Sequence, residues 1–364
     1  MENSHILYIG TYTDPIRFGT GEIMQGKGEG IHHATFCNGT GKLEIKGATA
    51  ATNPSYLALS ADNRFIYCVN ETKTFENMPG GSASAFEIIN TDTLRLINTQ
   101  PTKGEDPCHI SIDSSGKYVF AANFMTGSVS MFPVNQKGEL GLLSAFYQHE
   151  GKSICPLRQA GPHAHAVVLS PNEKYVLVPD LGIDKIVLYA LDKDAGTLTP
   201  SGEIALAPGA GPRHCVFHPV KNNLLYVINE LSLQVAVIDF DENSGTGKLL
   251  QCMPIVKACG PNSIGADIQV TQDGRFLYVS VRGNDILAVL KVDSNTGILS
   301  EPIVMSSGGK TPRSFAISPD AKFLLSANQD TNNIVVFSID QQSGGLERMH
   351  EYYAPTPVCL KFAT

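Results

Sequence analysis

The sequence contains no tryptophan and has fewer basic than acidic residues. Its 27 lysines and arginines against 35 aspartates and glutamates give a formal net charge of −8 at pH 7. Nucleic acids and anionic membranes repel a chain of this charge, so we expect neither as a partner. Tryptophan is enriched at protein-binding surfaces, and its absence argues against such a surface as the main functional feature.

Long hydrophobic runs are also missing. No apolar segment approaches the roughly 18 residues that a membrane-spanning helix requires. Residues 1–5 carry no basic segment and lead directly into a strand pattern, so we expect no secretion signal. These two absences predict a cytoplasmic protein.

The cysteines form no Cys-x-x-Cys pair and no regular disulfide framework. Several lie inside strand patterns, where a reduced thiol behaves as a small hydrophobic side chain. We therefore expect reduced and mostly buried thiols. The eight are Cys37, Cys68, Cys108, Cys155, Cys215, Cys252, Cys259 and Cys359.

The chain does contain a repeated pattern of short strands. In six copies, two apolar runs joined by a polar turn are followed by a third strand pattern, and a turn then leads to a fourth. The 34 glycines and 21 prolines are scattered, which is typical of short strands joined by tight turns. The positions that open the first runs recur at roughly 50 residues, in the range of propeller blades. They are Ser55, Cys108, His165, Arg213, Ala266 and Arg313.

The two ends of the chain complement each other. Residues 5–11 match the second strand of a repeat, and residues 356–362 match a first strand. Joining them completes a seventh unit and closes a ring without exposed sheet edges. We therefore expect residues 1–364 to form a single all-β domain, a seven-bladed β-propeller with four antiparallel strands per blade. An open two-sheet sandwich is the alternative, and the complementary ends disfavour it.

Three segments are longer than the repeat requires. Residues 12–30 and 72–84 follow second strands, and residues 148–162 precede a first strand. In a blade, the end of the second strand and the start of the first lie at the same face. All three insertions should overhang one mouth of the central channel, and functional residues often collect on such loops.

The stretch 209–230 combines the repeat with charged residues that a plain repeat does not need. Arg213 opens its first strand and Glu230 ends its second. Antiparallel pairing brings these two ends together. Burying an arginine and a glutamate is costly unless they are paired or used, so we interpret the pair as part of a functional site.

Applying the repeat to every blade predicts a ring of polar residues at the same mouth. Arginine matches the two oxygens of a carboxylate or phosphate, and histidine can move protons near neutral pH. Asn229 belongs to a ladder of asparagines that recurs from blade to blade, which favours a structural role for it. The candidates are His109, His163, His165, Arg213, His214, Asn229, Glu230, Arg282 and Arg313.

His163 and His165 are two residues apart on an extended strand, so both could face one side and bind zinc. A metal site needs further ligands in a tight cluster, and the arginines of the ring repel a cation. We therefore expect neither a metal nor another cofactor.

The stretches 209–219 and 226–230 resemble, nearly residue for residue, a motif of the propeller lactonase family. Residues 266–268 with 273–275 and residues 312–315 are similar to further segments of the family. The resemblance covers essentially the whole chain. Segments 18–30 and 74–81 are longer than the resemblance leads us to expect, which leaves the substrate open.

The resemblance implies a catalytic set of His165, Arg213, Arg282 and Glu230. The two arginines would bind an anionic substrate and stabilise negative charge on the lactone carbonyl oxygen. His165 or Glu230 would activate water and protonate the leaving oxygen. The other candidates, His163, His109, His214, Arg313 and Asn229, would contact the substrate.

The implied activity is that of a carboxylic ester hydrolase acting on a small anionic sugar lactone. The first expectation is hydrolysis of 6-phospho-D-glucono-1,5-lactone to 6-phosphogluconate, a step of glucose metabolism in the pentose phosphate pathway. One alternative is a lactonase or lactone-forming cycloisomerase acting on another sugar lactone or a muconate. A non-catalytic propeller that binds proteins is the other. We expect a monomer or a weak homo-oligomer.

Overall fold

The computed structural model describes residues 4–17, 21, 23–256 and 262–363. The first strands are β1 (Ser4–Thr11), β2 (Ile16–Arg17), β3 (Ile23–Met24), β4 (Ile31–Cys37), β5 (Leu43–Thr49), β6 (Tyr56–Leu59), β7 (Phe65–Asn70), β8 (Thr74–Phe75), β9 (Met78–Pro79), β10 (Ser82–Asn90), β11 (Thr93–Pro101), β12 (Pro107–Ile112), β13 (Tyr118–Asn123), β14 (Ser128–Pro133), β15 (Ala145–Gln148) and β16 (Val168–Leu169). The remaining strands are β17 (Tyr175–Asp180), β18 (Lys185–Asp192), β19 (Thr197–Ala205), β20 (Pro212–Phe217), β21 (Leu224–Asn229), β22 (Gln234–Asp241), β23 (Thr246–Pro254), β24 (Ile264–Val270), β25 (Phe276–Arg282), β26 (Ile286–Lys291), β27 (Ile303–Ser306), β28 (Pro312–Ile317), β29 (Phe323–Asn328), β30 (Asn333–Ile339), β31 (Leu346–Tyr353) and β32 (Pro357–Phe362).

Over the described residues these strands form seven antiparallel sheets of four strands, which confirms the seven-bladed β-propeller. Five sheets use strands that follow one another in the chain, such as β20-β21-β22-β23, and a sixth combines β6, β7, β10 and β11, with β8 and β9 lying between β7 and β10 in the chain. The seventh has the order β32-β1-β4-β5, so the C-terminal strand completes the N-terminal blade as predicted. In that closure Leu360 lies opposite Ile9. Two small hairpins, β2-β3 and β8-β9, lie within the insertions.

The hydrophobic core lies between neighbouring blades. Successive residues of a strand point to opposite faces, and both faces of an inner strand are covered. On β21, Tyr226 packs in the cluster that contains Val279 of the following blade. The next residue, Val227, packs in the cluster that contains Leu177 of the preceding blade. All of β21 is buried in consequence, whereas the outermost strand β23 is largely exposed.

The start of the first strand carries a β-bulge in several blades. The register of β20 with β21 skips Arg213, that of β12 with β13 skips Cys108, and that of β28 with β29 skips Arg313. A bulge bends the strand and re-aims the extra side chain, and bulges are common next to active sites. Cys108, Arg213 and Arg313, three of the six positions that the repeat aligned, are therefore bulged.

A left-handed backbone precedes these bulges. The values of φ are 49° at Asp106, 66° at Gly211 and 59° at Thr311. A β-branched residue such as threonine rarely adopts this conformation, and strain of this kind is concentrated at functional sites. The turn into β28 is thus strained at Thr311, two residues before Arg313, whereas glycine adopts the same conformation at position 211 without strain.

Seven of the cysteines lie in the part of the chain that the structure describes, and all seven are free thiols, as predicted. Cys259 lies outside the described residues, as do residues 18–20 and 22 of the first insertion. Within the same described part, no helix is long and apolar enough to cross a membrane.

Candidate active site

A cavity of about 920 Å³ lies where the first strands begin and the second strands end. First strands of neighbouring blades contact one another, as β20 does β24 and β24 does β28, so these ends surround the propeller axis. The blades contribute Glu71, Asp106, Cys108, Phe124, His165, Glu230, Leu231, Asn262, Ser263, Ile264, Arg282, Gly283, Thr311, Arg313, Gln329 and Asp330. The insertions contribute Arg17, Met24, Cys155, Leu157 and Arg158. Two of the predicted insertions, 12–30 and 148–162, thus line the cavity.

Glu230 is the centre of a cluster of charged side chains on one wall. Its Oε1 accepts a hydrogen bond from Arg158. Its Oε2 lies 2.8 Å from Nη2 of Arg282 and 3.1 Å from Nε of Arg213. We call these four residues the Glu230 cluster. Three guanidinium groups surround a single carboxylate, so the cluster carries a net positive charge.

The surroundings determine the charge state of the cluster. Burial raises the pKa of Glu230, but Arg158, Arg282 and Arg213 outweigh burial and lower it to about 2. Burial lowers the pKa of Arg282 to about 9, although Glu230 opposes this change. At neutral pH, Glu230 is therefore a carboxylate and Arg282 is a cation.

Arg213 meets Glu230 as the strand pairing predicted, but its side chain is only 2% exposed and lies behind the lining residues. Its Nη1 donates a hydrogen bond of 2.6 Å to the carbonyl oxygen of Ala266. The same nitrogen contacts the ring of His214. Arg213 therefore contacts Glu230 from the buried side of the wall. Its predicted contact with a substrate stays a prediction.

His165 lines the same cavity, and its main side-chain partner is a thiol. Its Nδ1 lies 3.6 Å from Sγ of Cys108, which also approaches the carbonyl oxygen of His165 at 3.5 Å. That carbonyl cannot complete the strand pairing because its neighbour, Pro179, has no N–H to donate. Among the described residues, no atom hydrogen-bonds Nε2 of His165.

The environment keeps His165 neutral. Burial lowers its pKa well below the usual value, and Arg213, His214 and Arg313 lower it further. If the thiol donates to the carbonyl oxygen, its sulfur can accept the Nδ1–H, and Nε2 then carries the lone pair. Such an imidazole can accept a proton from water.

The rings of His163 and His165 both contact the ring of Phe124, but of the two only His165 lines the cavity. His163 stacks on Phe124 at 4.6 Å between ring centroids, and its Nδ1 lies 2.9 Å from the carbonyl oxygen of Phe124. The regular part of this first strand, β16, covers only Val168–Leu169, and a single bridge joins Ala164 to Asp180. The main chain is nevertheless paired at both histidines, because the N–H of His165 donates to the carbonyl oxygen of Pro179 and the N–H of Leu181 donates to that of His163, each at 2.9 Å. The ladder is interrupted after His165, where Pro179 has no N–H to donate. His163 is absent from the cavity lining.

His109 and His214 belong to a second buried group next to the cavity, in which the ring of His214 lies 5.4 Å from that of His165. The rings of His109 and Tyr56 stack at 4.0 Å, and Nδ1 of His214 lies 3.1 Å from Oδ1 of Asp267. Burial lowers the pKa of His109, and burial with Arg213 lowers that of His214 to about 4. Neither is among the cavity residues, and Asn229 is not either. Their predicted substrate contacts stay predictions.

A second charged group forms another part of the lining. Nη2 of Arg313 lies 4.0 Å from Oε1 of Glu71, and the hydroxyl of Tyr12 donates a 2.9 Å hydrogen bond to Oε2 of Glu71. Asp106 is paired with Lys73, which belongs to the insertion 72–84. Arg313 thus lines the cavity, and its predicted contact with a substrate stays a prediction. Burial raises the pKa of Glu71, although Arg313 opposes it.

Among the described residues, no three His, Cys, Asp or Glu side chains are placed so that they could together hold a metal ion. The side chains that do converge on the cavity are mainly arginines and the carboxylates that pair with them. Their positive groups suit an anionic or polarised oxygen substrate.

Two residues of the site were missed from the sequence. Arg158 comes from an insertion with no repeat to align it, and a lone arginine in a loop is usually a solvated surface residue. Asp184 is a turn residue, yet its Oδ1 accepts hydrogen bonds from the backbone of Gly211 (2.7 Å) and from Nε2 of Gln159 (2.8 Å). Its Oδ2 accepts from the backbone of Gly209 at 2.7 Å. Asp184 therefore ties the insertion 148–162 to the motif at 209–219.

We expect Asp184→Ala to lower the free energy of unfolding by about 2 kcal/mol, because it leaves buried donors without an acceptor. Urea unfolding of the wild type and the variant measures the change. Asp192→Ala is the control, since the exposed side chain of Asp192 accepts local turn bonds from the backbone of Asp194 and Ala195. Equal losses in the two variants would contradict the role given to Asp184.

Comparison with known proteins agrees with this architecture. The family model described as "Lactonase, 7-bladed beta-propeller" matches residues 6–362. The 6-phosphogluconolactonase of Bacillus subtilis is 37% identical over 98% of both chains. That of Formosa agariphila is 32% identical over 94% of this chain and 95% of its own. A periplasmic gluconolactonase of Pseudomonas aeruginosa superposes with a TM-score of 0.90 at 31% identity, covering 100% of this chain and 99% of its own.

The fold and the matched family define a propeller enzyme that hydrolyses lactones. The chain belongs to the lactonase family of seven-bladed β-propellers. The family resemblance seen in the sequence is thereby confirmed.

Proposed function

We propose that this protein hydrolyses a phosphorylated sugar lactone, 6-phospho-D-glucono-1,5-lactone, to 6-phosphogluconate. The observation that carries the proposal is the Glu230 cluster, which places two arginines on the wall of a cavity that His165 also lines. The names of the Bacillus and Formosa relatives support the same substrate. No metal is needed in the mechanism that we derive from these side chains.

In this mechanism, His165 is the general base. Its Nε2 takes a proton from water while the water oxygen attacks the lactone carbonyl carbon. The carbonyl oxygen becomes negatively charged, and the guanidinium of Arg282 stabilises it. The bond from that carbon to the ring oxygen then breaks, and protonated His165 returns its proton to the ring oxygen. The product is an open-chain acid, which ionises.

Glu230 holds the arginines in place in this mechanism and is not the base. A carboxylate with a pKa of about 2 is too weak a base to deprotonate water efficiently. Its two oxygens instead fix the guanidinium groups of Arg158 and Arg282. Of the two bases that the sequence left open, we therefore propose His165.

A second candidate is hydrolysis of an unphosphorylated gluconolactone. The periplasmic gluconolactonase of Pseudomonas, similar over the whole chain, favours it. The two candidates also differ in compartment, because a phosphorylated sugar does not cross membranes unaided. We propose the phosphorylated lactone and the cytoplasm, since the charged cavity has cationic groups beyond the one that a carbonyl oxygen uses.

We expect the wild type to hydrolyse 6-phosphogluconolactone well above the spontaneous rate, with no change when a chelator is added. Arg282→Ala should lower kcat/KM by about 10²- to 10³-fold, because one preorganised donor to the oxyanion is lost. Arg275→Ala is the control, since exposed Arg275 pairs with Asp273 at the surface. Initial rates with freshly made lactone measure these values.

Three outcomes would count against this mechanism. If neither phosphorylated nor unphosphorylated gluconolactone is hydrolysed above background, the substrate is wrong. Loss of activity with chelator would require a metal. Equal activity of Arg282→Ala and Arg275→Ala would remove Arg282 from the reaction.

A further inference from the structure

The insertion 148–162 brings one cation into the cavity. Arg158 lines the cavity, and its side chain is only 16% exposed. Lys152 lies on the same insertion but is exposed and does not line the cavity. Of these two cations, Arg158 is therefore the one placed to contact a ligand in the cavity.

The backbone beneath Arg158 is fixed. The carbonyl oxygen of Cys155 accepts hydrogen bonds from the N–H groups of Arg158 (3.1 Å) and Gln159 (2.7 Å). Gln159 is fully buried, and its Nε2 donates to the carbonyl oxygen of Leu181 at 2.9 Å and to Asp184 at 2.8 Å. An arginine on such a turn is preorganised, so a ligand does not have to order the loop when it binds.

The Glu230 cluster has more donors than acceptors. A guanidinium has five N–H donors, and among the described residues the side chain of Arg158 donates only to Oε1 of Glu230. Arg282 lies on the other oxygen, and its Nε is buried without a hydrogen-bond partner. The two arginines therefore occupy opposite ends of one carboxylate and both have unused donors.

This arrangement suits a substrate with two separate groups of oxygen atoms. A sugar lactone phosphate has a carbonyl oxygen at one end and a phosphate dianion at the other. Arg282 serves the carbonyl in the mechanism above, which leaves Arg158 for the second group. The forked guanidinium matches two phosphate oxygens at once.

We propose that Arg158 binds the phosphate of the substrate and determines the preference for a phosphorylated over a neutral sugar lactone. The proposal rests on the proposed function. In this proposal, the insertion 148–162 determines which lactone is preferred, and His165 and Arg282 of the blades catalyse the hydrolysis.

The test compares kcat/KM for 6-phosphogluconolactone and glucono-1,5-lactone in the wild type, Arg158→Ala, Arg158→Lys and Lys152→Ala. In Arg158→Ala we expect the ratio of the two values to fall by about 10- to 100-fold, because a charge-assisted hydrogen-bonded contact is lost. The loss should appear mainly in KM for the phosphorylated lactone. Arg158→Lys should recover part of the ratio, because it retains the charge but not the fork, and Lys152→Ala should match the wild type.

An unchanged ratio in Arg158→Ala would overturn the proposal, as would equal losses on both lactones in a variant that stays folded by circular dichroism. The proposal would also be overturned if Arg17→Ala lowered the ratio of the two kcat/KM values while Arg158→Ala left it unchanged. The phosphate would then bind at the exposed Arg17.

The proposed function can fail separately. If the wild type hydrolyses neither lactone, calorimetry with 6-phosphogluconate and gluconate still tests the subsite. Tighter binding of the phosphorylated acid that Arg158→Ala abolishes would support the role of Arg158. Equal binding of the two acids by the wild type would overturn it.

Discussion

Replacing His165 by glutamine is expected to lower kcat for lactone hydrolysis by about 10²- to 10⁴-fold, the usual contribution of a general base. The amide keeps polar atoms next to Cys108 but cannot take a proton from water. KM should change much less, because the mechanism gives His165 no part in binding the anionic group. Steady-state rates, corrected for spontaneous hydrolysis, measure both parameters.

The pH dependence provides the sharper readout. A base acts only when it is unprotonated, so its activity is lost as pH falls through its pKa. Burial, Arg213 and His214 lower the pKa of His165 well below its usual value. We therefore expect kcat/KM of the wild type to stay level from pH 8 to below 6.5.

A matched variant separates the base from an ordinary histidine. His350 lies on the outer strand β31, where its Nε2 contacts the carbonyl oxygen of Thr40. His350→Gln should retain wild-type rates and the same level profile. If His165→Gln also retained them, His165 would not be the base, and Glu71 would become the next candidate because it lines the same cavity.

Replacing Glu230 by glutamine is expected to destabilise the protein by about 3 to 5 kcal/mol, because it leaves buried guanidinium groups without a counter-ion. Glutamine has almost the same shape, so the loss reports charge and not packing. Activity should fall as well, since Arg158 and Arg282 lose the carboxylate that orients them. Urea unfolding at pH 7 measures the stability term.

Acid should remove the same contribution of Glu230 to the free energy of unfolding from the wild type. The pKa of Glu230 is lower in the folded protein than in the unfolded chain, so its stabilisation is present above the unfolded pKa and is lost as pH falls. The window runs from the ordinary glutamate pKa of 4.5 down to about 2. The shift corresponds to about 3 kcal/mol, which the wild type should lose across this window and Glu230→Gln should not.

An exposed ion pair is the control for this prediction. Glu203 pairs with Lys185 at the surface, where such pairs contribute less than about 1 kcal/mol. Glu203→Gln should therefore leave the unfolding free energy nearly unchanged. If Glu230→Gln also left the unfolding free energy nearly unchanged, the three buried arginines would not need the negative charge of Glu230 for stability.

Much of the fold could be predicted from the sequence because each blade repeats one local pattern. Residues 5–11 and 356–362 showed the closure of the ring, since each matched a strand that the other lacked. The repeat also aligned Cys108, His165 and Arg313 at equivalent positions, and all three line one cavity. A repeat makes tertiary neighbours readable because the same contact recurs in every blade.

The sequence by itself determined the architecture and the class of residues at the site. Strand periodicity is local, and the pairing of Arg213 with Glu230 follows from a single hairpin. The tertiary structure decided which of these residues face the cavity. Arg213 lies behind the lining residues, and His163 stacks on Phe124 without lining the cavity, neither of which a strand pattern reveals. It also decided the part played by Arg158, which meets Glu230 across 72 residues of chain, because only the folded insertion brings the two side chains together.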